Sequence, residues 1–220
     1  MAAPTRYNAT SSPRPCWDYN DSVTDLAFSQ AAENNKVPIL RILREVFAQT
    51  RSVLEIGSGT GQHAVHFGCG LPHLVWQPSD LAHNLPDIQA RLAAEAPANV
   101  LAPLVLDVAK QVWPVGDIDG LFSANAVHIM SWTHVTQMFA GMGKILSDQA
   151  IVCLYGPFKY AGAFTTPSNA QFDAWLKQRD PLSGVRDFEA VDALARAQGL
   201  RPLADYAMPA NNQLLVWRRG

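Results

Sequence analysis

Residues 52–63 read Ser-Val-Leu-Glu-Ile-Gly-Ser-Gly-Thr-Gly-Gln-His, and the interpretation of the whole chain depends on them. Val53 to Ile56 predict a short buried strand, the three alternate glycines predict a tight turn, and a helical pattern follows Gly61. Glycine has no side chain, so such a turn can approach a ligand closely and adopt positive φ. This order is typical of a nucleotide-binding α/β unit. The spacing differs from the dinucleotide pattern G-x-G-x-x-G, because its third glycine would fall on Gln62.

Size and charge exclude several classes of protein. The chain has 220 residues, of which 48% are hydrophobic and 16% charged, as is typical of one globular domain. A net charge of −2 with scattered cations argues against nucleic acid as a partner. No apolar run reaches the roughly 18 residues that span a bilayer, so no membrane partner is predicted. No metal site is predicted either, because the histidines lack further ligands at suitable spacing.

The cysteines and the N-terminus indicate where the protein resides. Three widely separated cysteines predict reduced thiols, and no signal-peptide core is found, so we expect a cytoplasmic protein. Residues 1–25 predict an irregular N-terminal arm, and residues 26–220 predict one domain. The sequence leaves open whether the protein is a monomer or a homodimer.

Apolar runs alternate with helical patterns along the domain. Five strands are predicted, which are Val53–Ile56, Leu74–Gln77, Leu104–Leu106, Gly120–Ala124 and Ala150–Tyr155. Helical spacing is predicted over residues 39–49, 64–67, 88–95, 135–146 and 187–198. Two final runs, Leu203–Tyr206 and Leu214–Trp217, predict an antiparallel hairpin. We therefore expect an α/β fold with a seven-stranded, mostly parallel sheet, helices on both faces and a C-terminal antiparallel hairpin.

Three acidic residues fall at predicted strand ends, where ligands bind in open α/β sheets. Glu55 adjoins the glycine turn, and Asp80 and Asp107 follow the second and third strands. Asp80 lies 21 residues beyond Gly59, a separation at which an acid can accept both hydroxyls of a ribose. One such acid could equally be a solvated loop residue or a helix cap. Three of them in register with a glycine turn predict a nucleoside site.

The pattern Glu-x-Gly-x-Gly-x-Gly resembles motif I of class I methyltransferases that use S-adenosylmethionine (SAM). The resemblance implies SAM as the cofactor and S-adenosylhomocysteine (SAH) as the product. It also implies that Asp80 binds the ribose and that residues 106–108 hold the adenine amino group. The cofactor-binding residues predicted on this basis are Glu55, Gly57, Ser58, Gly59, Gly61, His63, Asp80, Leu81, Asp107, Val108 and Asn125.

Longer motifs occur with this stretch, and they are Trp76-Gln77-Pro78-Ser79-Asp80, Tyr155-Gly156-Pro157-Phe158, Ser168-Asn169-x-x-Phe172-Asp173, Gly184-Val185-Arg186-Asp187 and Met208-Pro209-Ala210-Asn211-Asn212. The set resembles the methyltransferase-like protein 26 family, over about residues 28–218. The resemblance implies the SAM-binding fold and brings no known substrate with it. One departure is Asn34, which stands where the family usually has arginine, and this leaves substrate identity open.

Methyl transfer from a sulfonium mainly requires that the two partners be positioned, an effect worth up to roughly 7–11 kcal/mol. A general base is needed only if the acceptor is still protonated. The loop after the fourth predicted strand, residues 125–132, should face the methyl group. The predicted catalytic residues are His128 as a candidate base, Asn125 and Tyr155. A neutral His128 packed against the sheet is an equally open interpretation.

Several residues are expected to surround the entrance of the site and to bind the methyl acceptor. They are Glu33, Asn35, Lys36, Trp132, Tyr155, Phe158, Arg186, Asn211 and Asn212. Arg186 could hold a substrate anion or pair with Asp173 or Asp187. No Asn-Pro-Pro-aromatic motif occurs, which disfavours amide and nucleobase substrates. We therefore predict methyl transfer to an O or N atom of a small molecule. Two alternatives stay open, a SAM-binding protein that does not methylate and, disfavoured by Gln62, a nicotinamide-dependent oxidoreductase.

Overall fold

The computed structural model describes residues 26–220, so the predicted arm over residues 1–25 lies outside the described residues. The helices are α1 (Gln30–Val46), α2 (Gln62–Gly70), α3 (Leu85–Glu95), α4 (Trp132–Ile145), α5 (Pro167–Arg179) and α6 (Phe188–Ala197). The strands are β1 (Ser52–Ile56), β2 (Val75–Asp80), β3 (Leu104–Val105), β4 (Ile118–Ala124), β5 (Leu146–Gly156), β6 (Phe158–Tyr160), β7 (Ala163–Phe164), β8 (Arg186–Asp187), β9 (Leu200–Met208) and β10 (Asn212–Arg219). In this described part, no helix is both long and apolar enough to cross a membrane.

Seven strands form the main sheet in the order β3-β2-β1-β4-β5-β10-β9. The first five are parallel to one another, and β10 runs antiparallel to both β5 and β9. The predicted α/β fold with its C-terminal hairpin is thereby confirmed. Chain order reverses between β1 and β4, and ligands of open α/β sheets bind at such a switch point, outside the carboxyl ends of the strands.

Two hydrophobic cores, one on each face, hold the sheet between helices. On one face α1 and α2 contribute Ile39, Leu43 and Phe67, all fully buried. On the other face α4 and α6 contribute Met138 and Val191, also fully buried. Apolar residues of the strands point alternately into the two cores because successive side chains of a strand face opposite sides. The carboxyl ends of the strands are thus fixed by packing from both faces.

Strand β2 runs through Pro78 to Asp80, three residues further than predicted. Proline interrupts most central strands because it lacks the N–H that the ladder needs. On the side of β2 that faces β3, Trp76 forms an isolated β-bridge with Val100, and regular pairing begins only at Ser79 with Leu104. Pro78 lies between these two points and has no pairing partner on that side, so proline is tolerated. The extension places Asp80 as the last residue of the strand.

Helix α5 and a small sheet of order β7-β6-β8 were not predicted. The three small strands have only two or three residues each, too few for a periodic pattern. The apolar residues of α5 do not share one face, and two of its three buried residues are Asn169 and Asp173. Its start does carry a local signal, because the Thr166 hydroxyl caps the helix and Pro167 is the next residue.

Candidate cofactor and acceptor site

The glycine turn between β1 and α2 has the backbone that its sequence predicts. Gly57, Gly59 and Gly61 have φ values of 77°, 57° and 74°, a region that other residues rarely adopt. A Cβ added at Gly59 would meet nothing within 4 Å, so the space over the turn is open. A Cβ on Gly57 would lie 3.5 Å from the Ala126 Cβ, which shows that the loop after β4 borders the turn. No side chain caps α2, so its first-turn N–H groups can receive an anionic ligand group.

Glu55 lies beneath this turn and is 1% exposed. Its Oε2 accepts hydrogen bonds from Trp76 Nε1 at 3.0 Å and from Ser58 Oγ at 2.9 Å, and Ser58 Oγ also accepts from the Ser79 N–H at 3.1 Å. Burial raises the pKa of Glu55 to about 7, against the opposing effect of these two donors. Glu55 and the Ser58 side chain therefore support the turn from inside the protein and do not line its open side. Trp76, which the sequence did not place in the site, completes this support.

Asp80 joins the end of β2 to the glycine turn. Its Oδ2 accepts the Gly59 N–H at 2.8 Å, and its Oδ1 accepts the Leu81 N–H at 2.7 Å and Asn84 Nδ2 at 2.9 Å. A carboxylate oxygen can accept two hydrogen bonds, so Oδ2 has an acceptor position left beside the open space over Gly59. Asn84 was not predicted as part of the site, because it lies on a short 3₁₀ turn without a sequence motif.

Asp107 follows β3, which pairs with the end of β2 and so brings Asp107 near Asp80. Its Oδ1 accepts the Ala109 N–H at 2.9 Å and thereby closes the turn after the strand. Leu81 is 41% exposed, and Val108 is 8% exposed. The structure thus brings the predicted ribose and adenine residues to one edge of the sheet, whereas Glu55 lies below that edge.

Four polar side chains from four elements meet at the neighbouring end of β5. His63 Nε2 of α2 lies 2.6 Å from Asn35 Oδ1 of α1. The Tyr155 hydroxyl interacts with the side chains of Asn35 and Asn212. Burial lowers the pKa of His63 to about 3 and raises the pKa of Tyr155, so both side chains are neutral at pH 7. The structure therefore unites four predicted site residues in one uncharged cluster.

His128 lies on the other side of the β5 end and is 3% exposed. Among the described residues, its buried Nδ1 has no hydrogen-bond partner. A Cβ on Gly156 would lie 3.3 Å from this Nδ1 and 4.0 Å from Asn125 Oδ1, so both atoms point towards the same small space. The ring contacts Phe172 of α5 edge-on, with centroids 5.3 Å apart. Burial, helped by the charge of Arg186, lowers the pKa of His128 to about 4.

Arg186 is occupied by the protein backbone. Its Nε donates to the Val127 carbonyl at 3.0 Å, and its Nη2 donates to the carbonyls of Met130 and Leu182. Its guanidinium carbon also lies 5.9 Å from the centre of the Trp132 ring, and Trp132 is 38% exposed. These contacts hold the loop that carries His128, and they favour a supporting role for Arg186 over binding of a substrate anion.

Two other predicted acceptor residues lie elsewhere than expected. Phe158 is fully buried in the core under α4 and α6, so it offers no surface to an acceptor. Asn211 Nδ2 donates to Ser168 Oγ at 3.1 Å, and its carbonyl accepts Asn169 Nδ2 at 3.0 Å. Asn211 thus attaches α5 to the hairpin of β9 and β10. Burial and these pairings were not visible in the sequence, because α5 was not predicted.

Glu33 and Lys36, on the first turns of α1, bind each other. Lys36 Nζ lies 2.6 Å from Glu33 Oε1, and Glu33 Oε2 accepts Gln62 Nε2 at 3.1 Å. Gln62 Oε1 in turn accepts the Ser29 N–H at 2.6 Å. The residue that breaks the dinucleotide pattern therefore joins α1 to the start of α2, a role that the sequence did not indicate.

The seven-stranded sheet with helices on both faces has the class I methyltransferase fold. The chain belongs to the family DUF938, described as a protein of unknown function, whose model matches residues 26–219.

Solved structures support the assignment of the fold. An O-methyltransferase family protein from Burkholderia thailandensis has a TM-score of 0.74 at 15% identity, with 84% of this chain and 56% of that chain covered. The pyocyanin biosynthetic protein PhzM has a TM-score of 0.68 at 17% identity, with 86% and 56% covered. The structure of PigF with SAH has a TM-score of 0.71 at 13% identity, with 83% and 55% covered. This chain spans little more than half the length of these proteins, and such identities show the fold alone.

Proposed function

We propose that this protein is a SAM-dependent methyltransferase that acts on an O or N atom of a small molecule. On the motifs quoted above, we also propose that the chain is a member of the methyltransferase-like protein 26 family. One observation carries it above all. The glycine turn is open over Gly59, and Asp80 Oδ2, which can accept one more hydrogen bond, lies beside that opening.

The described residues fit the three parts of SAM. Asp80 offers a carboxylate oxygen to the ribose, and Leu81, Asp107 and Val108 lie where the adenine would bind. The uncapped N-terminus of α2 can receive the carboxylate of the amino-acid tail, because its N–H groups and helix dipole favour an anion. When bound, SAM supplies a methyl group activated by its positively charged sulfur. The switch point between β1 and β4 would place that methyl group near the loop that starts at Asn125.

The protein's own contribution is to position the acceptor and exclude water. Helix α1 is held over α2 by Gln62 and by the pair of Asn35 and His63. Helix α5 is held near His128 by the Phe172 contact. The acceptor would therefore enter between these two helices and meet the ends of β4 and β5. Fixing both partners in line contributes up to roughly 7–11 kcal/mol to lowering the barrier.

Calorimetry with SAM on the purified protein tests the cofactor assignment. We expect binding by the wild type and a Kd raised roughly ten- to a hundredfold in Asp80→Asn, because a charge-assisted hydrogen bond contributes about 1.5–3 kcal/mol. Asp148→Asn is the matched control, since Asp148 is exposed near the amino ends of the strands. A folded wild-type protein that does not bind millimolar SAM would contradict the proposal.

A second candidate is a SAM-binding protein that does not methylate, such as a sensor or partner subunit. It is favoured by the fact that Glu33, Lys36 and Arg186, all predicted to contact an acceptor, bind other protein groups instead. Accumulation of SAH when the protein is incubated with SAM and a metabolite extract would exclude this candidate. Binding of SAM without any SAH formation would favour it.

A further inference from the structure

The Nδ1 atom of His128 is buried in the loop that follows β4. Buried polar atoms in folded proteins are normally hydrogen-bonded, yet this atom has no partner among the described residues although the side chain is 3% exposed. It faces the space beside Gly156 where Asn125 Oδ1 also points. If the ring proton is on Nε2, Nδ1 presents a lone pair and its missing partner is a hydrogen-bond donor.

The charged side chains around this space already have partners. In the described part of the chain, Lys36 pairs with Glu33, and Lys177 Nζ lies 2.6 Å from Asp173 Oδ2. Arg186 donates to three backbone carbonyls. Neither a phosphate nor a carboxylate would find an uncommitted cation among these residues, and an ammonium ion would find no uncommitted acid.

The polar side chains at the α1 side of the β5 end are neutral. Asn35, Tyr155 and Asn212 interact with one another and carry amides and a phenol without formal charge. On the α5 side the wall is aromatic, because Phe172 contacts His128 and stacks on Trp175, which is 47% exposed. The groups on both sides of the His128 Nδ1 atom therefore match a molecule without formal charge.

From these observations we propose that the methyl acceptor is an uncharged alcohol or phenol whose hydroxyl group donates its hydrogen bond to His128 Nδ1. This inference rests on the proposed function and names its acceptor. It makes His128 the catalytic residue that receives the proton, and it selects transfer to a hydroxyl oxygen over transfer to an alkyl amine.

Methyl transfer to the hydroxyl oxygen involves only SAM, the acceptor and His128. A lone pair of the hydroxyl oxygen forms the new bond to the methyl carbon while the C–S bond breaks. The electron pair of that bond returns to sulfur, which becomes the neutral thioether of SAH. The hydroxyl proton becomes strongly acidic as the C–O bond forms and passes to Nδ1, then to solvent. No further reactant is needed.

The same geometry disfavours an amine. At neutral pH an alkyl amine is an ammonium ion, which has no lone pair until it loses a proton. The buried His128, whose pKa is about 4, gives little driving force for that deprotonation. A hydroxyl oxygen keeps its lone pairs while still protonated, so it can attack first and lose the proton during the step.

Fractionation of a metabolite extract tests the acceptor class. The wild-type protein is incubated with SAM labelled in its methyl group and with fractions that bind an anion exchanger, bind a cation exchanger, or bind neither. We expect labelled product from the unbound fraction, with the methyl ¹³C shift of a methoxy group. Product from either charged fraction, or an N-methyl product, would overturn the inference and leave the proposed function standing. No product from any fraction by a protein that binds SAM would overturn both the inference and the methylating function.

The role of His128 is tested with the acceptor so found. His128→Gln should lose at least a hundredfold in transfer rate with unchanged SAM affinity, while His134→Gln, at an exposed position of α4, should keep both. Between pH 5.5 and 8 the wild-type rate should show no pH dependence that His128→Gln lacks, because His128 remains neutral over that range and the ionisation of Glu55 affects both proteins alike. A full rate in His128→Gln, or a fall in the wild-type rate below pH 6.5 that His128→Gln does not share, would overturn this role.

Discussion

At the scale of single residues, the glycine turn is the most constrained part of the molecule. Gly57, Gly59 and Gly61 all have positive φ, and the open face of the turn lies over Gly59. Glu55 supports the turn from below, where two donors share one of its oxygens. A residue that faces the ligand and a residue that supports the turn should therefore respond differently to substitution.

Gly59→Ala tests the open face. Its Cβ meets no atom of the protein but occupies the space proposed for SAM, so we expect a Kd for SAM at least tenfold higher. Alanine at this positive φ should also lower the free energy of unfolding of the variant by about 1–2 kcal/mol. Gly199→Ala is the matched control, because Gly199 has a φ of 76° and equally open surroundings after α6. It should lose similar stability and keep SAM affinity by calorimetry; equal affinity loss in both variants would refute the assignment.

Glu55→Gln tests whether the buried carboxyl group of Glu55 supports the glycine turn in its protonated form. The folded-state pKa of Glu55 is about 7, above its ordinary 4.5, so its stabilising effect is complete below pH 4.5 and is lost as pH rises through 7. Glutamine stays neutral and keeps an oxygen for both donors. We expect urea unfolding to give similar stabilities at pH 5 and a variant more stable by roughly 3 kcal/mol at pH 8.

The exposed Glu45 supplies a control for this comparison, since Glu45→Gln should leave the pH dependence of wild-type stability unchanged. If Glu55→Gln shows the same loss of stability between pH 5 and pH 8 as the wild type, the folded protein does not raise the pKa of Glu55.

At the scale of secondary-structure elements, α1 is joined to the start of α2, beside the glycine turn, by polar contacts as well as by the core. Gln62 accepts the Ser29 N–H and donates to Glu33. These contacts hold the first turns of α1 against α2. Hydrogen bonds of this kind are worth about 0.5–1.5 kcal/mol each, and more where a buried partner is left unsatisfied.

Gln62→Ala should therefore loosen the start of α1 without unfolding the sheet. We expect faster amide hydrogen exchange over residues 30–36, by about tenfold, and unchanged exchange in β1 and β4. Gln30→Ala is the matched control, because Gln30 makes an exposed hydrogen bond to Asn34 within the same helix. Equal exchange in the two variants would show that Gln62 does not hold the helix.

Elements with a regular local pattern could be predicted from the sequence, and elements fixed by distant contacts could not. Strand β1, the glycine turn and α2 form one continuous pattern, and Asp80 lies at a known spacing from it. Helix α5 lacks a single apolar face, so its position depends on contacts such as Asn169 with Asn211. For the same reason the partners of Arg186 and the burial of Phe158 were missed.

At the scale of the whole molecule, the sheet has two distinct edges. The carboxyl ends of the strands carry the glycine turn, Asp80 and His128. A cavity of about 540 Å³ lies near the amino ends of β1, β4 and β5, lined by residues such as Thr50, Asp119 and Gln149. The switch-point rule places the ligand at the first of these edges.

Binding at that site should stabilise the entire domain. At a concentration of SAH a hundred times its Kd, the free energy of unfolding rises by about 2.7 kcal/mol. For a chain of this size we expect the melting temperature to rise by roughly 5–10 °C. NADH at equal concentration is the control and should cause no shift. A shift with NADH and none with SAH would revive the nicotinamide-dependent alternative.

The most direct test of the cofactor site is a titration of ¹⁵N-labelled protein with SAH, followed by amide chemical shifts. The largest changes should map to the turn at Gly59, to the strand ends at Asp80 and Asp107, and to the loop that begins at Asn125. Changes confined to the opposite cavity around Thr50 and Asp119, or no changes at millimolar SAH, would contradict a cofactor site at the glycine turn.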